Sequence, residues 1–87
     1  MNSRLTRRFR ELYAELPSEV QERARKAYRL WRNDPTHPGL NFKQVVPARR
    51  IYSARVGRDY RVLGTLQGDT VVWYWIGKHE IYDRILG

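Results

Sequence analysis

Tyr52-Ser53-Ala54-Arg55-Val56-Gly57-Arg58-Asp59-Tyr60-Arg61-Val62-Leu63 is the stretch on which the fold turns. Two runs rich in β-branched and aromatic residues flank a Gly-Arg-Asp break, the pattern of a β-hairpin. A two-residue loop would set the apolar Val56 on one face with Asp59 and Arg61. A three-residue loop, Gly57 to Asp59, pairs Val56 with Tyr60, Ala54 with Val62 and Arg55 with Arg61, which keeps Tyr52, Ala54 and Val56 on one apolar face. That register is the expected one.

Outward from this hairpin the same period continues. Phe42 to Val46 precedes it and Val71 to Ile76 follows it, set off by Pro47 and Gly68-Asp69, so the second half of the chain reads as an antiparallel meander. A two-residue turn at Gly68-Asp69 pairs Leu66 with Val71, Gly64 with Trp73 and Val62 with Trp75, and places these residues on the core side. Gly64 then leaves room for the indole opposite. The other face carries Arg55 and Arg61, with Ser53, Leu63, Tyr74 and Ile76 nearby. A short turn or helix, Glu80 to Leu86, closes the chain.

The first half has helical period. Leu5, Phe9, Leu12 and Leu16 form one apolar stripe behind a Ser3 cap, and Val20, Ala24, Ala27, Tyr28 and Trp31 form a second. Leu16-Pro17-Ser18 separates them, with Pro17 suited to the first position of the second helix. Asn33-Asp34-Pro35 ends that helix and Pro38-Gly39 prolongs the break. The expected fold is α+β: an αα-hairpin packed on a small antiparallel sheet, the whole chain 1–87 forming one domain. Arg4, Arg7, Arg8, Arg23, Arg25, Lys26, Arg29 and Arg32 lie off the stripes, as a solvated face or a partner surface.

The chain has 87 residues, enough for one modest core that hides roughly 60 to 65% of the unfolded surface. Hydrophobic residues at 41% argue against wholesale disorder, and 17 Lys and Arg against 9 Asp and Glu give a net charge of +8. Such a domain attracts polyanions, nucleic acid first, although a merely soluble cation or a binder of an acidic protein has the same balance. With no cysteine there are no disulfides and no Cys-based zinc sites. The two histidines, His37 and His79, have no carboxylate cluster in the sequence beside them, so neither metal nor any other cofactor is expected. No apolar stretch reads as a signal peptide or membrane span, and a cytoplasmic location is expected.

Like charges opposed across strands are destabilising. Arg55 opposite Arg61 therefore either fans into water, where salt screens the repulsion, or holds an anion such as a phosphate.

From Asn41 to Ile85 the residues resemble the RelE/ParE superfamily of toxins from bacterial toxin-antitoxin pairs. The Tyr52-to-Leu63 stretch is similar to its two central strands. Gly68-Asp69 through Trp75-Ile76-Gly77-Lys78-His79-Glu80-Ile81-Tyr82 is similar to its last strand and tail, and Leu16-Pro17 fits its helical hairpin. Many members begin with a strand before the first helix. Met1-Asn2 leaves almost no room for one, so this sheet is expected to lack that edge strand.

The resemblance implies a ribosome-dependent endoribonuclease that cuts mRNA during translation, works without a metal and is silenced by a cognate antitoxin. It assigns Arg61 and then Arg55 to the scissile phosphate, and His79 and Tyr82 to the tail residues that assist proton transfer. Lys43, Arg49, Arg50 and Lys78 become RNA or ribosome contacts. RNA brings its own nucleophile, the 2′-hydroxyl, so such a site needs a base, an acid and cations. His79 is either a group titrating near neutrality or an ordinary exposed residue after a strand. Tyr82 either orients RNA or packs the C-terminal turn on the sheet. The tail is less basic than in many ribonuclease members, and the superfamily also contains members directed at DNA gyrase. A non-catalytic binder is thus the alternative.

Overall fold

In the computed structural model, which describes residues 1–86, the chain opens with a strand, not a helix. β1 (Asn2–Leu5) lies parallel to β5 (Thr70–Lys78), with Ser3 opposite Val71 and Leu5 opposite Trp73. This overturns two expectations: the sheet does have the edge strand, and Ser3 is not a helix cap. The cap is Thr6, whose hydroxyl accepts from the Phe9 amide at 3.1 Å and so satisfies one of the four free amides of α1 (Arg7–Ala14). Leu5 sits four residues before Phe9, a spacing that imitates a helical stripe. Thr6 reaches its third following amide because its own backbone is extended, φ −77° and ψ 163°.

Pro17 stands at the cap of α2 (Ser18–Asn33), one residue before the first helical position, with φ −55° and ψ 149°. Its carbonyl accepts from the Val20 and Gln21 amides, both at 3.0 Å, and starts the helix. Two short 3₁₀ turns, Pro38–Leu40 and Pro47–Arg49, bracket β2 (Lys43–Val46). There follow β3 (Ile51–Val56), β4 (Tyr60–Gln67) and, after β5, α3 (His79–Leu86).

The sheet order is β1-β5-β4-β3-β2, four antiparallel strands with β1 as a parallel addition at one edge. One face packs on the helical hairpin. Phe9 of α1 and Trp31 of α2 meet Ala54, Val56, Val62, Val71, Trp73 and Ile76 there. The Trp31 and Trp73 rings meet edge to face at 5.4 Å, and Phe42 closes on Trp31 at 5.8 Å, an arrangement that adds to simple burial. The basic residues of α1 and α2 point away from this core and are exposed.

Strand register confirms the three-residue loop. Val56 pairs with Tyr60, Ala54 with Val62 and Arg55 with Arg61. Leu66–Val71 and Gly64–Trp73 pair as expected too, but the register then shifts: Leu63 pairs with Trp75 and Val62 with Ile76. The extra residue is Tyr74, at a β-bulge. The expected Val62–Trp75 pair is thereby corrected, and Ile76 moves from the open face into the core, where it is 2% exposed. Gly64 plays its expected part, since a Cβ there would come within 2.7 Å of both the Trp73 ring and Val71.

The face opposite the hairpin is not bare. Tyr82 of α3 lies on it, its hydroxyl 3.1 Å from Ser53 Oγ, and Ser53, Leu63 and Tyr82 are all buried. Among the described residues no helix is long and apolar enough to cross a membrane.

Candidate functional site

Alternation along the strands arranges this second face in rows. Lys43, Ser53, Leu63 and Trp75 are successive cross-strand neighbours from β2 to β5. Arg55, Arg61 and Gly77 form the next row. α3 covers the middle of the first row and leaves the arginines at its border. A cleft of about 380 Å³ opens there, lined by Lys43, Ser53, Arg55, Arg61, His79, Tyr82 and Asp83 among others. A second opening, about 670 Å³, adjoins it and shares Arg55, Arg61 and His79, adding Arg58, Lys78 and Glu80.

The turn between β3 and β4 sets these groups in place. Gly57 adopts φ +63°, the left-handed conformation that glycine enters without strain. Arg61 Nη1 donates to the carbonyl of Tyr60 at 2.9 Å and to that of Arg58 at 3.4 Å. The guanidinium is thus tethered to the turn, and its remaining donors are available to a ligand. Burial holds the Arg61 pKa below its ordinary value, and the Arg55 charge pushes it the same way; Tyr82, Asp83 and Asp59 oppose the shift. A partly buried guanidinium beside a second one, with Asp83 and Asp59 offsetting only part of the two positive charges, is a place where an anion is stabilised.

His79 opens α3, and its side chain is 46% exposed. Its Nδ1 lies 3.2 Å from Asp83 Oδ2 one turn on, and its ring is 6.1 Å from that of Tyr82. Tyr82 is 8% exposed with its hydroxyl engaged by Ser53, so packing is its evident part, although its ring lines the cleft.

Of the residues singled out from sequence, Arg55, Arg61, His79, Tyr82 and Lys43 come together, and Lys78 flanks them. Arg49 and Arg50 do not. They sit at the β2–β3 connection, where Arg50 takes φ +53°, at the far end of β3. At ~3.3 Å per residue that is roughly 16 Å from Arg55 along the strand. Arg49 lies instead near Tyr74, where burial raises the phenol pKa and the Arg49 charge opposes the rise. Sequence reasoning missed Asp83, and it placed Ser53 on this face without its bond to Tyr82. Asp83 was legible as the i+4 partner of His79 once α3 starts at His79 and not at Glu80. The part of Ser53 depends on the docking of α3, which no local pattern encodes.

The class of protein is set first by its architecture, a small α+β fold with a helical hairpin on one face of a five-stranded mixed sheet and a basic cleft on the other. The structure is similar to a chain of the RelB-RelE antitoxin-toxin complex from Methanococcus jannaschii, with TM-score 0.71 and 21% identity over 92% of this chain and 95% of that one. A chain of the toxin-antitoxin complex RelBE2 from Mycobacterium tuberculosis is similar as well, with TM-score 0.70 and 22% identity over 90% and 96%. A copper-bound mutant toxin from Helicobacter pylori aligns with TM-score 0.62 and 11% identity over 93% and 97%. At these identities the likeness is one of fold. No curated protein matches the chain. The ParE-like toxin domain family matches residues 18–84, and the chain belongs to that family.

Proposed function

We propose that this protein is the toxin of a toxin-antitoxin pair and cuts mRNA on the ribosome. The observation that carries this reading is the Arg55–Arg61 pair, opposed across β3 and β4 at the border of a cleft that also holds Lys43 and His79. The guanidiniums bind the scissile phosphate and stabilise the charge that develops at phosphorus. His79 exchanges the proton of the 2′-hydroxyl, whose oxygen attacks the adjacent phosphorus. Tyr82 holds α3 against the sheet through Ser53, which keeps His79 facing the arginines. Lys43 and Lys78 extend the basic surface to neighbouring phosphates, whereas Arg49 and Arg50 are too distant for the same phosphate and meet RNA or the ribosome elsewhere.

The antitoxin takes a second groove, on the side of the helical hairpin, which Arg55 also borders. A groove of about 450 Å³ between the hairpin and the sheet is lined by Phe9, Tyr13, Ala24 and Ala27, with Arg10, Arg25 and Arg29 among its lining residues. Apolar walls with arginines beside them fit an acidic amphipathic segment.

In a translation extract the purified protein is expected to cut mRNA only when ribosomes are present. Addition of the protein encoded next to it is expected to stop the cutting. A second reading, a toxin directed at DNA gyrase, is favoured by the engaged Tyr82 hydroxyl, which leaves His79 short of a second proton-transfer partner. Gyrase poisoning in a supercoiling assay without RNA cleavage would establish that reading instead.

A further inference from the structure

Asp83 and His79 both line the cleft that holds Arg55 and Arg61, and Asp83 Oδ2 lies 3.2 Å from His79 Nδ1. An ionised carboxylate only accepts hydrogen bonds. The contact is therefore a bond only when the imidazole carries its proton on Nδ1, and in the neutral ring the lone pair then falls on Nε2. Free neutral imidazole side chains prefer the opposite arrangement, and a fixed partner on one nitrogen is what selects a tautomer.

The pair is exposed, 46% and 59% for the two side chains. An exposed ion pair contributes little to folding. Stability thus gives no strong reason for an aspartate here, while its place in a cleft of arginines does. The groups around His79 are Arg55, Arg58, Asp59 and Arg61 from the β3–β4 hairpin, Lys78 from β5, and Glu80 and Tyr82 from α3. Among the described residues, Asp83 is the polar side chain that meets a ring nitrogen of His79.

We infer that Asp83 is a positioning residue that holds His79 as the Nδ1–H tautomer, so that Nε2 is the base for the RNA 2′-hydroxyl. This rests on the mRNA-cutting reading above. In the step, the 2′-oxygen forms a bond to phosphorus as its proton passes to Nε2. The bond from phosphorus to the 5′-oxygen breaks, and that oxygen takes a proton from water. The products are a 2′,3′-cyclic phosphate end and a 5′-hydroxyl end.

The test has two arms, one independent of activity. Long-range proton–nitrogen correlation spectra of the uniformly ¹⁵N-labelled protein, recorded with His79 neutral, read the tautomer directly. The parent and Asp83→Asn, whose amide oxygen still accepts from Nδ1–H, are expected to show Nδ1–H, and Asp83→Ala to show Nε2–H. In the translation extract Asp83→Ala is expected to lose cutting on the order of tenfold, with Asp83→Asn retaining most of it. An Nε2–H parent, an unchanged tautomer in Asp83→Ala, or undiminished cutting by Asp83→Ala would each overturn the inference. If the parent itself cuts nothing, the mRNA-cutting reading fails and the base role with it, whereas the tautomer spectra still decide whether Asp83 sets the ring.

Discussion

The main-chain amide of His79 donates to the carbonyl of Asp59 at 2.7 Å, tying the first residue of α3 to the turn between β3 and β4. The same turn holds Arg61 through the Arg58 and Tyr60 carbonyls. One loop thus sets the distance between the imidazole and the guanidinium. Lengthening it by a glycine after Arg58 should move the two apart. Cleavage is expected to fall more than thermal stability, since surface loops tolerate insertion at little thermodynamic cost; extract cleavage beside a melting curve checks this.

The Ser53–Tyr82 bond anchors α3 in a buried setting. Tyr82→Phe leaves the Ser53 hydroxyl buried without its partner and should cost about 1–3 kcal/mol. At ~4–8 °C per kcal/mol for a domain of this size, the loss is readily seen in Tm. Ser53→Ala in the Tyr82→Phe background removes the stranded group, so the double variant is expected to lose less than the sum of the two singles. Additive losses would show that the bond contributes nothing.

Trp75 lies across Gly77. A Cβ at Gly77 would come within 2.5 Å of the indole Cζ2, which a rigid ring cannot absorb without moving. Gly77→Ala should therefore destabilise by about 1–3 kcal/mol, as overpacking does, and shift the Trp75 fluorescence. Gly68→Ala provides a contrast. Its Cβ meets nothing within 4 Å, and the loss there reflects only its φ of +64°.

The Arg55–Arg61 opposition predicts anion-dependent stability. Removing the repulsion with Arg55→Ala should raise Tm in low salt by about 2–4 °C, from roughly 0.5 kcal/mol for a like-charged pair. Sulfate should stabilise the parent more than chloride at equal ionic strength, and this difference should shrink in Arg55→Ala. Equal effects of the two salts would mean screening alone.

Tyr74 gives the alkaline limb a specific contributor. Its phenol is raised above 10.0 by burial, partly offset by Arg49. Once the pH passes 10.0, the unfolded chain has lost this proton while the folded one keeps it, so stability falls as pH rises further. Tyr74→Phe should flatten that fall without changing stability at neutral pH by the same mechanism. Denaturant midpoints across the alkaline range test it.

The register of the central hairpin was legible because parity allowed one loop length that kept Val56 with Ala54 and Tyr52, and the same parity placed Arg55 against Arg61. Gly64 was legible because an indole stood opposite it. β1 was not, because Leu5 has helical spacing to Phe9 and a parallel edge strand draws its partner from the other end of the chain. The Tyr74 bulge was hidden too, since alternation in Val71 to Ile76 fits either register until the packing of Ile76 chooses one. Burial of Tyr82 followed from tertiary docking. The pairing of the two strand arginines at the candidate site was therefore readable, while the packing of α3 that brings His79 and Asp83 to the same cleft was not.

The central claim is that the strand arginines hold the scissile phosphate of mRNA. The direct measurement is cleavage-site mapping of one message in a translation extract, with and without ribosomes, for the parent and for Arg61→Ala at matched folded concentration. The parent should cut only with ribosomes present, and Arg61→Ala should cut at least ~100-fold less, the scale of losing one preorganised charge-stabilising donor. Undiminished cutting by Arg61→Ala would contradict the account.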